Sequence, residues 1–166
     1  MIRVRATMWN VLTRKIVRCI TLGMGFLILS PVLQAFKVQV GTFFEIDKIA
    51  YKKGQLVMPV TRRKYHNIRV LDRATFLWLE TCKNKEVCKQ EISLLPFAIE
   101  RLRMVSTREG MWIADVSFGE KWLVTFLLFK QGNGYSLKIP DALKFLDIHY
   151  AQQIEKMIVQ AVEEKQ

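Results

Sequence analysis

The chain has 166 residues, 51% of them hydrophobic and 25% charged, with 26 Lys+Arg against 15 Asp+Glu for a formal net charge of +11. That is too apolar for a disordered tail and too polar for a multi-span membrane protein, and the length allows one domain plus one special segment. The charge is uneven: residues 1–35 hold Arg3, Arg5, Arg14, Lys15 and Arg18 with no acidic residue, and the remainder of the chain nets +6.

The special segment comes first. After the basic stretch, Cys19 to Phe36 carries no charge and is broken by Pro31 before the small residue Ala35. A basic n-region, an apolar h-region and a small residue form the pattern of a secretory signal peptide, whose cleavage after Ala35 starts the mature chain at Phe36. Leu33 at the −3 position is acceptable but not ideal. Eighteen apolar residues also extend about 27 Å as a helix, so a retained signal anchor with almost no stalk is the alternative. Residues 1–35 are thus read as signal or anchor and 36–166 as one exported domain, periplasmic or extracellular, with the basic residues held on the cytoplasmic side. Cys19 precedes the apolar run, which excludes a lipid-modified cysteine.

In the exported part a strand is expected from Phe36 to Ile46, with Gly41 as a bulge, followed by a turn at Lys52-Lys53-Gly54. Gln55 to Thr61 contains Pro59 and belongs at a sheet edge. Asn67 to Glu80 reads as one or two strands leading to Cys82 and Cys88, a pair best explained as a disulfide in an exported domain. Closing so short a loop contributes about 2 kcal/mol in the chain-entropy account. Ser93 to Met104 is expected as a short helix capped by Ser93, with Pro96 in its first turn.

Met111 to Phe118 and Lys121 to Lys130 flank Gly119-Glu120, which suits a type II′ hairpin turn. A two-residue turn sets Trp112, Ala114, Val116 and Phe118 against Leu127, Thr125, Leu123 and Lys121, and Ile113 against Phe126. Asp115 then lies opposite Val124. Tyr135 to Ile139 completes a three-strand meander whose middle strand is apolar on both faces, so each face needs a cover or an interface. After Pro140-Asp141, the spacing of Leu143, Leu146, Tyr150, Ile154, Met157, Ile158 and Ala161 predicts an amphipathic helix of five or six turns. The fold class expected is α+β, a single domain with an antiparallel sheet, one short middle helix and a long C-terminal helix.

Chemistry is sparse. His66 and His149 lack the partners of a metal site, and the chain has no nucleophile elbow, HExxH, phosphate loop or calcium loop. No catalytic residue, metal or cofactor is therefore assigned. Asp115, on an apolar strand face, needs a base or donor to compensate its burial, and is expected either at the sheet rim with Lys or Arg nearby or at the mouth of a pocket lined by Trp112, Trp122, Phe126 and Tyr150. Residues 37–103 net +7 and residues 104–166 net −1. Arg62, Arg63, Lys64, Arg69 and Arg73 in the basic half form a candidate strip for an anionic surface or acidic partner, or else a charged guard on a sheet edge; export disfavours nucleic acid. The reading reached is a non-enzymatic envelope protein acting through a protein partner, with a small-ligand or lipid carrier as the alternative.

Overall fold

The structure, a computed structural model, describes residues 35–60, 67–107, 110–132 and 134–165. Residues 1–34, which hold most of the expected signal or anchor segment, and the cluster Arg62, Arg63 and Lys64 lie outside these residues. Within them two five-stranded sheets share one core. The first holds β1 (Ala35–Val40), β2 (Phe44–Lys52), β3 (Gln55–Val57), β5 (Val87–Gln90) and β10 (Leu143–Phe145), in the order β10-β2-β1-β5 with β3 also on β2. The second holds β4 (Ile68–Val70), β6 (Phe97–Ser106), β7 (Met111–Phe118), β8 (Trp122–Gln131) and β9 (Gly134–Lys138), in the order β4-β8-β7-β6 with β9 on β8. All pairings are antiparallel except β1 with β5. Two helices, α1 (Arg73–Glu80) and α2 (Ile148–Glu163), complete the fold.

Alternation builds the first sheet, with Phe36, Val38, Val40, Phe44 and Ile46 turned into the core. The expected single strand over 36–46 is instead two, because Gly41 takes a φ of +53° in a turn. A Cβ there would stand 2.6 Å from the Ile92 carbonyl oxygen, so only glycine fits. On the outer surface of this sheet Lys37 reaches Glu45 and Asp47, each at 3.4 Å. The Asp47 contact, followed by Glu45, raises its pKa above the ordinary lysine value.

Two elements differ from expectation in type. The run 67–80 is a short strand and then α1, because Asp72 caps a helix: its carboxylate accepts the Thr75 N–H at 2.7 Å and the Thr75 hydroxyl at 2.6 Å. Residues 97–106 are strand β6, not the helix expected over 93–104. Bulges interrupt β6 after Ile99 and after Met104, so the residues it packs on the core, Phe97, Ile99 and Leu102, mix spacings of two and three and imitate helical periodicity.

The β7–β8 hairpin forms where expected but with a different register. Gly119 and Glu120 both have a φ of +57° and the Lys121 N–H donates to the Phe118 carbonyl at 3.1 Å, a type I′ arrangement. Phe118 pairs with Trp122, Ala114 with Phe126 and Asp115 with Thr125, one step from a two-residue turn. The C-terminal helix starts later than its apolar pattern suggests. Leu143 lies in β10, Asp147 caps α2 by accepting the N–H groups of His149 and Tyr150, and the 16 residues make between four and five turns.

Aromatic rings join the layers. Phe44 of the first sheet meets Phe118 of the second at 5.3 Å, and Phe126 stacks on Phe145 at 6.4 Å. Tyr150 of α2 contacts Phe43, Phe97, Phe118 and Phe145, while its hydroxyl donates to the Leu95 carbonyl at 2.8 Å. Burial pushes the Tyr150 phenol well above its ordinary range. Tyr51 donates to the Leu79 carbonyl at 3.0 Å and ties β2 to α1; burial first, then Glu80, pushes its phenol up to about 12. The Cys82–Cys88 disulfide, with Cα atoms 5.7 Å apart and both residues buried, links the end of α1 to β5 and so fixes the parallel strand beside β1.

Two outcomes test this packing. Phe126→Ala should cost about 3–5 kcal/mol in urea unfolding, and Leu127→Ala, next along the strand but half-exposed on the other face, less than about 2. For Asp72, burial works against the charge, but the hydrogen bonds from Thr75 and the Ala74 N–H outweigh it and hold the carboxyl below its ordinary 3.8. Its contribution is therefore complete above that pH and is lost as pH falls through the lower folded-state value. Asp72→Asn, which keeps a cap, should lose less stability than the wild type between pH 5 and acid unfolding, as followed by circular dichroism.

Candidate functional site

The register places Trp112, Ala114, Val116 and Phe118 with Trp122, Val124, Phe126 and Leu128 on the core face of the second sheet. Its outer face receives Ile113, Asp115 and Ser117 from β7 and Leu123, Thr125, Leu127 and Phe129 from β8. Arg69 on β4 pairs with Leu123, Arg101 and Arg103 on β6 pair with Asp115 and Ile113, and Lys138 on β9 pairs with Leu127. The outer face thus combines an apolar row with basic flanks.

Asp115 organises its centre. The carboxylate is 3% exposed, and Oδ2 accepts Nε and Nη2 of Arg101 at 2.9 and 2.6 Å. Oδ1 accepts the Thr125 hydroxyl at 2.5 Å and lies 3.7 Å from Nη2 of Arg69. Beside it the Ser117 hydroxyl donates to Glu100, the residue extruded by the β6 bulge, at 2.5 Å. Burying a carboxylate costs several kcal/mol unless charge and donors meet it, and here both oxygens are met. The side chains of Arg69 and Arg101 remain 45% and 57% exposed. One carboxylate between two guanidiniums leaves a positive charge at the surface, to which Arg103 and Lys138 add and from which Glu100 subtracts.

Of the residues singled out in the sequence, Arg69 and Asp115 come together, while Arg73 opens α1 and is exposed. Trp112, Trp122, Phe126 and Tyr150 are buried in the core, on the other side of the sheet from Asp115. Trp122 donates its indole N–H to Gln90 at 3.3 Å, whereas the Trp112 indole N–H is buried without a partner among the described residues. Arg101, Thr125 and Glu100 were not foreseen. Arg101 fell in a stretch read as helix, and a strand with a bulge after Ile99 is what aligns it with Asp115.

Two surface hollows lie elsewhere. One, of about 600 Å³, is lined by Ile139, Pro140, Phe145 and Ile148 among others; the second, of about 520 Å³, is lined by Gln39, Lys89, Glu91 and Ser93 among others. Neither is lined by the four aromatic pocket candidates. Among the described residues no group of three or more His, Cys, Asp or Glu is placed to hold a metal ion. No family model, curated protein or solved structure matches the chain.

The cluster predicts its own energetics. Asp115→Ala should destabilise by about 3 kcal/mol and Arg101→Ala by less, since Arg69 and Thr125 still meet the carboxylate. A double-mutant cycle on the two should give a coupling of about 1–2 kcal/mol by urea unfolding, and a smaller one for the more exposed pair Lys37 and Asp47.

Proposed function

We propose that this is a non-catalytic, exported module of a cell envelope that engages a protein partner through the outer face of its second sheet. The observation that carries the reading is the contrast between the two outer faces. That of the first sheet is mostly polar, with Lys37, Gln39, Glu45, Lys89 and Lys144 along its registers and the exposed Val87 among them. That of the second carries Ile113, Leu123, Leu127 and Phe129 around a charged centre, the mixture of apolar side chains and arginine found at protein interfaces. The excess of basic groups favours an acidic partner surface.

The buried disulfide supports an oxidising compartment outside the cytoplasm. The packed aromatic core favours an interaction module over a carrier, which would need an apolar cavity between sheet and helix.

A photo-crosslinking residue placed at Leu127 in the native cell should yield one adduct of defined mass, and Arg101→Glu should remove it. The same probe at Gln39 should yield none. Equal adducts from both faces, or an adduct indifferent to Arg101→Glu, would contradict the reading.

A further inference from the structure

The second sheet has unequal sides. Beyond β8 it is closed by β4 and β9, whereas β6 is the outermost strand on the other side and, among the described residues, pairs with β7 alone. Bulges follow Ile99 and Met104, so Arg101 to Met104 is the regular stretch of β6. An edge strand offers its unpaired backbone groups to any segment that can lie beside it.

One hydrogen bond sets the phase of that edge. The Leu102 carbonyl accepts Nζ of Lys165 at 3.4 Å, which places it on the side away from β7. Successive residues of an antiparallel strand turn their backbone groups alternately toward and away from a neighbour, so Leu102 and Met104 present theirs to the open edge while Arg101 and Arg103 bond to β7. Side chains alternate as well: Arg101 and Arg103, opposite Asp115 and Ile113, both stand on the outer face and are exposed. Arg101 holds Asp115, and the Arg103 side chain makes no ion pair or hydrogen bond among the described residues.

We propose that β6 receives an extended segment of the partner as an added antiparallel strand, a segment with two carboxylates separated by one residue. The residue between them lies opposite Leu102 and exchanges backbone hydrogen bonds with it, and the carboxylates stand opposite Arg101 and Arg103. Those are the non-hydrogen-bonded pairs of the new ladder, where side chains come closest. Charge selects this occupant. A second copy of β6 centred on Leu102 would set Arg101 against Arg103, and like charges directly opposite repel. The two guanidiniums that bar such a copy attract an acidic strand. The inference rests on the partner face proposed above and adds how the partner enters it, as one more strand beside Arg101.

The test titrates the protein, purified from its native cell, into the fluorescein-labelled peptide Thr-Val-Glu-Val-Glu-Val-Thr, follows anisotropy, and reads backbone amide exchange by NMR. The expected result is saturable binding that slows exchange of the Leu102 and Met104 amides at least tenfold and changes those of Arg101 and Arg103 little. N-methylation of the central valine, lysine in place of both glutamates, and Arg103→Glu, which leaves the Asp115 cluster in place, should each weaken binding at least tenfold. Equal binding of the N-methylated peptide would overturn strand addition. Equal binding of the lysine peptide, or indifference to Arg103→Glu, would overturn the acidic occupant. Protection of Leu102 and Met104 in a dimer formed without peptide would assign the edge to a second copy and overturn it too. A peptide that fails to bind while the Leu127 adduct still forms would overturn the added strand alone, and absence of both would overturn the partner face with it.

Discussion

One residue in the turn between β7 and β8 decides what is core and what is surface. With two loop residues, the row Trp112, Ala114, Val116, Phe118 would share a face with Leu123 and Leu127, leaving Trp122, Phe126 and Leu128 beside Asp115 and Ser117. A carboxylate would then sit among aromatic rings. With Gly119, Glu120 and Lys121 all in the loop, both aromatic-bearing rows fall together and every polar residue of β7 goes to the other side. Gly119 and Glu120 bear the cost of that turn through their left-handed backbone.

The two faces then acquire different work. The inner one closes against the first sheet and α2 through Phe44, Phe145 and Tyr150, with Gln90 accepting the Trp122 indole N–H and the Leu95 carbonyl accepting the Tyr150 hydroxyl. The outer one gathers Arg101 and Thr125 around Asp115, and brings Arg69 near, so residues from β4, β6, β7 and β8 are held in mutual register by one carboxylate. An ion cluster of this kind adds little net stability over apolar packing, and its better-attested role is to specify geometry. That role suits a surface presented to a partner.

Legibility in the sequence followed the strength of local signals. The β2–β3 and β7–β8 hairpins carry glycine turns, the cysteine pair is close in sequence, and α2 has a long apolar stripe, so each was readable in place if not in detail. β6 was not, since its bulges break the period of two, and α1 was missed because its cap, Asp72, follows an extended apolar run without a break. At the site, Arg69 and Asp115 were visible as a basic and an acidic oddity. Their meeting was not, because it depends on pairings between strands more than 40 positions apart and on a register that one loop residue shifts.

The register is therefore the claim on which the fold, the cluster and the proposed partner face all stand, and cross-strand backbone NOEs measure it directly. Contacts linking Asp115 with Thr125 and Ala114 with Phe126 are the predicted result. Contacts linking Asp115 with Val124 and Ile113 with Phe126 would contradict it, returning the carboxylate to the aromatic face and dissolving the outer cluster.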